Sequence, residues 1–194
     1  MFTLDSRSDT RSVGSLLATG GRVGSDAKWT ADVSSSLTLG RYGAARLGDS
    51  AWILAPATGW RSAPPIAVPG VTLDLNVLQT SLTPGIRRTA EDLGIALVEG
   101  ARARQCRVAI DGPIFRAAFP QVELLVGDGD LSRWRGQLTY WVFADGQLGR
   151  VAGSLNGEGA DLQPKGVLGT IDVLMTATDR GALTRIVQPD DVGG

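Results

Sequence analysis

Histidine is absent from the chain. That removes the commonest general base, every Ser-His or Cys-His nucleophile pair, and the usual transition-metal ligand. Cysteine is nearly absent as well: Cys106 stands alone, so no intramolecular disulfide can form and no metal site can be built on it. Lysine occurs only at Lys28 and Lys165, and the arginines are scattered instead of gathered with aromatics into a groove. With a formal charge of -1, this pattern argues against nucleic acid or another polyanion as partner. No span approaches the roughly 18 apolar residues needed to cross a bilayer. The start, Met1 to Asp5, lacks the basic region and apolar run of a signal peptide.

What remains is ordinary globular material. A chain of 194 residues, 43% hydrophobic and 20% charged, can bury a substantial core. The simplest partition is one domain over residues 1–189 and a loose tail over 190–194. No repeat or low-complexity segment divides it.

The most informative stretch is Gln137 to Leu155. Tyr140, Trp141, Val142 and Phe143 favour strand and end at Asp145-Gly146, a dipeptide suited to a type I′ turn. A β-hairpin with a two-residue loop follows, in which Phe143 faces Leu148, Trp141 faces Arg150 and Tyr140 faces Val151. Leu138, Tyr140, Val142 and Val151 then share one face. Trp141 stands on the other beside Thr139 and Arg150, where it can stack on the guanidinium.

Other strands are predicted from Phe2, from Ser12 to Val23, from Lys28 to Leu39, from Arg41 to Leu47 and from Ala51 to Ala55. In the third of these, Trp29, Ala31, Val33 and Leu37 occupy one face and polar residues the other. Thr58-Gly59-Trp60 and Ala63-Pro64-Pro65 read as a rigid connector. Short helices are expected from an Asp74 cap, with Leu75, Leu78 and Leu82 on one stripe, and from Ile86 to Leu93. Strands return at Ile95 to Val98 and at Arg104 to Ile110, where Cys106 shares a face with Val108 and Ile110 and reads as a small hydrophobe. Pro113 opens a helical turn through Phe119, Pro120 interrupts it, and Gln121 to Val126 forms a second. Gly166 to Thr178 is a long strand carrying Ile171, Val173 and Met175, and Leu183 to Val187 another. The 26 glycines, many within strands, allow the sheet to bend sharply.

Several motifs, in order, resemble a known group. Leu47-Gly48-Asp49-Ser50-Ala51-Trp52-Ile53 with Gly59-Trp60, Leu97-Val98-Glu99-Gly100 before a strand ending at Asp111, Tyr140 to Gly146, and Asp179-Arg180-Gly181 before Pro189 are similar to the LppX/LprG/LprA/LprF envelope lipoproteins and the wider LolA-like fold. The resemblance implies an α+β fold, a strongly curved antiparallel half-barrel with short helices covering its concave face. It also implies an extracytoplasmic, often lipid-anchored protein, although the leader and acylatable cysteine of that group have no counterpart at Met1. The implied partner is an acyl chain or other hydrophobic small molecule, with envelope proteins or a membrane surface as further partners and no cofactor. The candidate lining is Trp29, Val33, Trp52, Leu78, Leu82, Phe115, Phe119, Leu125, Leu138, Tyr140, Val142, Val173 and Met175. The residues alone favour a packed core, and the resemblance brings an open cavity level with it.

Other chemistry finds little footing. Asp128-Gly129-Asp130, with Glu123 nearby, lacks the oxygen series of a calcium loop, and Glu91-Asp92 reads as the exposed face or end of a short helix. Gly20 to Gly24 is glycine-rich but does not lie between a strand and a helix, so it fails as a phosphate loop. A non-enzymatic lipid carrier is the preferred function. The alternatives are a LolA-like sensor or interaction domain without a cavity, and a hydrolase built on two converging carboxylates.

Overall fold

The alternation of apolar and polar residues produces an almost wholly β structure. The computed structural model describes residues 2–8, 11–35, 38–64, 88–127, 129–158, 169–177 and 185–190. Within them lie β1 (Phe2–Ser8), β2 (Arg11–Val23), β3 (Asp26–Ser35), β4 (Leu39–Leu47), β5 (Ser50–Ala55), β6 (Gly59–Ala63), β7 (Glu91–Val98), β8 (Ala101–Asp111), β9 (Arg135–Phe143), β10 (Leu148–Gly157) and β11 (Gly169–Thr176). They form one 11-stranded sheet in the order β6-β5-β4-β3-β2-β1-β11-β10-β9-β8-β7. Every pairing is antiparallel.

The chain thus makes two meanders. The first runs outward from β1 to the edge at β6, and the second returns from the edge at β7 to β11. They meet where β1 pairs with β11, Leu4 opposite Val173. Because directly opposed residues share a face, the register assigns Leu16, Ala31, Val33, Val173, Val151, Leu138 and Val108 to one side, called here the inner face.

Short helices pack on that face. Asp111 caps α1 (Gly112–Ala118) by accepting the Ile114 N–H at 2.9 Å, and Pro113 sits in its first turn. A 3₁₀ turn, Pro120–Val122, and α2 (Glu123–Val126) follow. Pro120 therefore separates two helical pieces, as its missing N–H and ring demand. Arg116 ties them together, donating to the carbonyl of Gly129 at 2.6 Å. One hydrophobic cluster then extends from Ala51 on β5 through Trp29, Val33, Phe115, Phe119, Leu125 and Leu138 to Val108 on β8.

Several expected elements take a different form. The central hairpin has the pairs Trp141–Arg150 and Tyr140–Val151, but Leu148 faces Val142 instead of Phe143. Its loop contains three residues, since the Phe143 N–H donates to the Gln147 carbonyl and the Gly146 N–H to the Phe143 carbonyl, both at 2.9 Å. Only Gly146, at φ 80°, takes the left-handed conformation there, while Asp145 keeps a negative φ and accepts the Gln147 N–H at 3.0 Å. The extra loop residue shifts the register between Leu148 and Arg150. The connector proposed at Thr58–Trp60 is strand β6, paired through Leu54–Trp60. Glu91 and Asp92 begin strand β7 instead of ending a helix, because they pair with Arg107 and Cys106. Residues 185–189 carry no strand. The predicted helix over Leu75–Leu82, Leu37, Asp128, Gly166 to Leu168 and the tail over 191–194 lie outside the described residues.

Central strands approach closely enough to require glycine in places. At Gly153 a Cβ would strike the Gln137 carbonyl and stand 2.9 Å from the Leu138 Cα on β9. Gly153→Ala is expected to destabilise the fold by about 1–3 kcal/mol, as overpacking does. Urea denaturation checks this: a midpoint equal to that of the native protein would show that β9 and β10 are spaced more loosely.

Candidate functional site

The inner face divides into a filled region and an open one. On β9 burial is complete at Leu138, nearly complete at Tyr140 and partial at Val142. The register explains the gradient. Asp111, from which the helices depart, is opposite Arg135 at one end of the β8–β9 ladder, and Ala103 is opposite Phe143 at the other. A nine-residue strand spans about 30 Å, so the helical cover begins at one end and Val142 lies toward the other.

In the filled region Phe115 and Phe119 are fully buried with ring centroids 5.0 Å apart, and a Cβ at Gly14 would stand 3.5 Å from the Leu125 side chain. Trp29, Val33, Leu138, Val173 and Met175 join the same cluster. Trp52 takes the other side. It is opposite Ala45, which is opposite Lys28, so the pairing puts it on the face away from Trp29. Alternation along one strand could not reveal this, because the side of β5 is fixed by the β4–β5 turn. Leu78 and Leu82 lie outside the described residues.

Toward the β7 end, a cavity of about 800 Å³ opens. Its wall is formed by Ile95, Cys106 and Val142, with Ala103, Phe143 and Ala144, and by the charged residues Asp92, Arg102 and Arg104. Among the described residues, Val142 is the one member of the expected lining that also lines this space. Ile95, Arg102 and Arg104 were not expected there, although pairing Arg104 with Val142 and Ile95 with Arg104 follows once the β8–β9 register is known. The face shared by Cys106, Val108 and Ile110 holds the signal, and its neighbour across the ladder is set by the register.

The electrostatics are simple. Arg104 donates to Asp92 at 2.7 Å, and the Gly94 N–H donates to the same carboxylate at 3.0 Å. These bonds hold the Asp92 carboxyl below the ordinary carboxylate range and raise Arg104. Arg107 lies 3.5 Å from Glu91. Two carboxylates that each face an arginine are poorly placed to act together as acid and base. Elsewhere Asp130 accepts from the N–H and hydroxyl of Ser132 at 2.7 and 3.0 Å, which makes it the turn residue expected of that loop. On the outer face Arg150 covers the Trp141 ring at 5.0 Å, the stacking that the hairpin pattern predicts.

Tyr140 adds a further feature. It is buried, opposite Cys106, and its hydroxyl has no hydrogen-bond partner among the described residues. Desolvation pushes the phenol well above its usual value. Neighbours on either side, Cys106 across the ladder and Val142 two residues along, both line the cavity.

No family model and no curated protein matches the chain. Solved structures do. Over 99% of this chain and 89% of the other it is similar to LprF from Mycobacterium bovis, at 12% identity and a TM-score of 0.48. Lipoprotein LppX from Mycobacterium tuberculosis is matched over 89% and 81%, at 14% identity and 0.37. A LolA superfamily protein from Nitrosomonas europaea is matched over 91% and 84%, at 8% identity and 0.23. These are the group and the wider fold that the sequence resembles.

Two predictions follow from the geometry. Tyr140→Phe removes a hydroxyl whose unpaired burial costs about 1–3 kcal/mol, so the variant is expected to be as stable as the native protein or more so; a fall in its denaturation midpoint would show that the hydroxyl has a partner. Asp92 should titrate below its ordinary 3.8, so its contribution is present above that value and fades as the pH falls through the lower folded one. Carboxyl NMR checks this, with Arg104→Gln moving the midpoint upward.

Proposed function

We propose that the protein is a non-enzymatic carrier or holder of a lipid, an acyl chain or another hydrophobic ligand in the cell envelope. The observation that carries this reading is the cavity of about 800 Å³ walled by Ile95, Val142, Cys106 and Phe143. Its size falls within the roughly 300–1,000 Å³ of small-molecule sites. Each methylene buried there contributes about 0.8 kcal/mol, so a hydrocarbon chain needs no specific polar contact to bind.

The proposal includes a curved sheet forming one domain over residues 1–189. The cover supports the bend: α1 touches β8 while α2 touches β2 and β3. Strands β3 and β8 are six steps apart in the sheet, about 29 Å if it were flat. The run from Gly112 to Val126, with Phe119 extended between its helical pieces, spans at most about 26 Å. Bending the sheet toward the helices brings both strands within their reach.

A second reading has its own observation. Ile95 and Leu97 on edge strand β7 are 63% and 69% exposed, and an apolar edge can receive a strand from a partner protein. The two readings separate on one measurement. Val142→Trp is expected to reduce uptake of a fluorescent fatty-acid probe at least several-fold while the thermal transition stays within a few degrees of native. Unchanged uptake would remove this cavity as the binding site and leave the interaction domain. Met175→Phe is a harsher variant, since Met175 belongs to the filled region, and an aromatic there costs about 1–3 kcal/mol. Mass spectrometry of organic extracts from the purified protein would identify a resident ligand, and fractionation of cells expressing the gene with its own upstream codons tests the envelope location.

A further inference from the structure

The charged residues of the cavity wall carry more information than its apolar ones. Resting on the carrier reading, we infer that the ligand is a single-chain amphiphile with an anionic headgroup, placed by Arg102 with its tail against Val142 and Cys106. Asp92, Arg102 and Arg104 are the charged lining residues, one acid against two arginines, so the wall carries an excess positive charge. Arg104 is engaged by Asp92 at 2.7 Å. Arg102 has no carboxylate partner among the described residues, and it stands opposite Leu97 on the inner-face side of β8, two positions from Arg104. Along that face the order is Arg102, Arg104, Cys106, Val108, a progression from cation to buried hydrophobe. An elongated molecule with a charged head and a hydrocarbon tail matches that gradient, since the guanidinium can offer paired N–H donors to a carboxylate or phosphate. A cavity of about 800 Å³ is also better suited to one chain than to several.

Carboxylate and phosphate heads share this chemistry, so the test includes both. Displacement of a bound fluorescent fatty-acid probe would be measured with palmitate, one-chain palmitoyl lysophosphatidic acid, hexadecanol, and inorganic phosphate alone. Palmitate or the lysophosphatidate is expected to bind about fivefold more tightly than hexadecanol, the gain of one partly exposed charge pair. Whichever of the two shows the larger gain identifies the head. Arg102→Gln should abolish the preference by weakening palmitate and lysophosphatidate to the level of hexadecanol, Arg102→Lys should keep most of it, and raised salt should weaken it. Inorganic phosphate should displace nothing, because the tail supplies most of the binding. Equal binding of palmitate, lysophosphatidate and hexadecanol, unaltered in Arg102→Gln, would overturn the headgroup assignment and leave the carrier standing. Failure of all three amphiphiles to displace the probe, or of the probe to bind, would overturn the carrier and this inference together.

Discussion

The pairing of the first strand with the last is the constraint on which the remaining geometry depends. Seven consecutive pairs from Phe2–Met175 to Ser8–Gly169 join two meanders that otherwise would be separate sheets with separate faces. Side-chain direction alternates strictly along a strand, so a slip of one residue at this seam would turn Val173 and Ile171 outward relative to Leu16 and Val33. In the observed register all four share a side, and the helical cover can bury both halves at once. The contact is also the most distant in sequence, and closing so long a loop is entropically costly before the core rewards it. Local pairing in the two meanders therefore has to supply most of the order that the seam then completes.

That arrangement also accounts for where the structure is full and where it is not. The helices depart from Asp111, and with Arg116 holding the chain beyond α2 they stay near the Arg135 end of β9. Phe115, Phe119, Val122 and Leu125 fill the space beneath them almost completely. At the opposite end the inner face continues past the helices α1 and α2, and there Val142 and Cys106 are half-buried and Arg104 is exposed. A side chain such as Phe at 142 could have filled this end. The described residues leave it open.

Much of this was legible from the chain. The period-two pattern of Trp29, Ala31 and Val33, the hairpin with its Trp141–Arg150 stack, and the Pro113 and Pro120 punctuation each express a local rule, and each has its counterpart in the structure. The failures share a cause too. The Asp145-Gly146 dipeptide fits both a two-residue and a three-residue loop, and the structure has the longer one, closed by the backbone bond between Phe143 and Gln147. Glu91 and Asp92 carry no strand signal of their own and become strand through the ladder in which they stand opposite Arg107 and Cys106. Trp52 has the composition of a lining residue, yet its side of the sheet depends on the β4–β5 register. The position of the open end was illegible for the same reason, since Ile95 and Val142 are 47 residues apart in sequence (142 minus 95) and meet only through Arg104.

The missing histidine takes on a sharper meaning beside this geometry. A hydrolase could still be assembled from carboxylates, but catalysis by two acids needs them to converge in one cleft with their pKa values driven apart. At the cavity Asp92 is instead held ionised by Arg104, and Glu91 pairs with β8 through Arg107. Asp92, already matched to a fixed counter-charge, resists taking up a proton and has little left to offer a transition state. The same matching suits a binding site, because it fixes the polar end of the wall without leaving a carboxylate free to repel an anionic guest. The cavity is therefore suited to the amphiphile proposed for it, and the buried Tyr140 phenol stays neutral beside it.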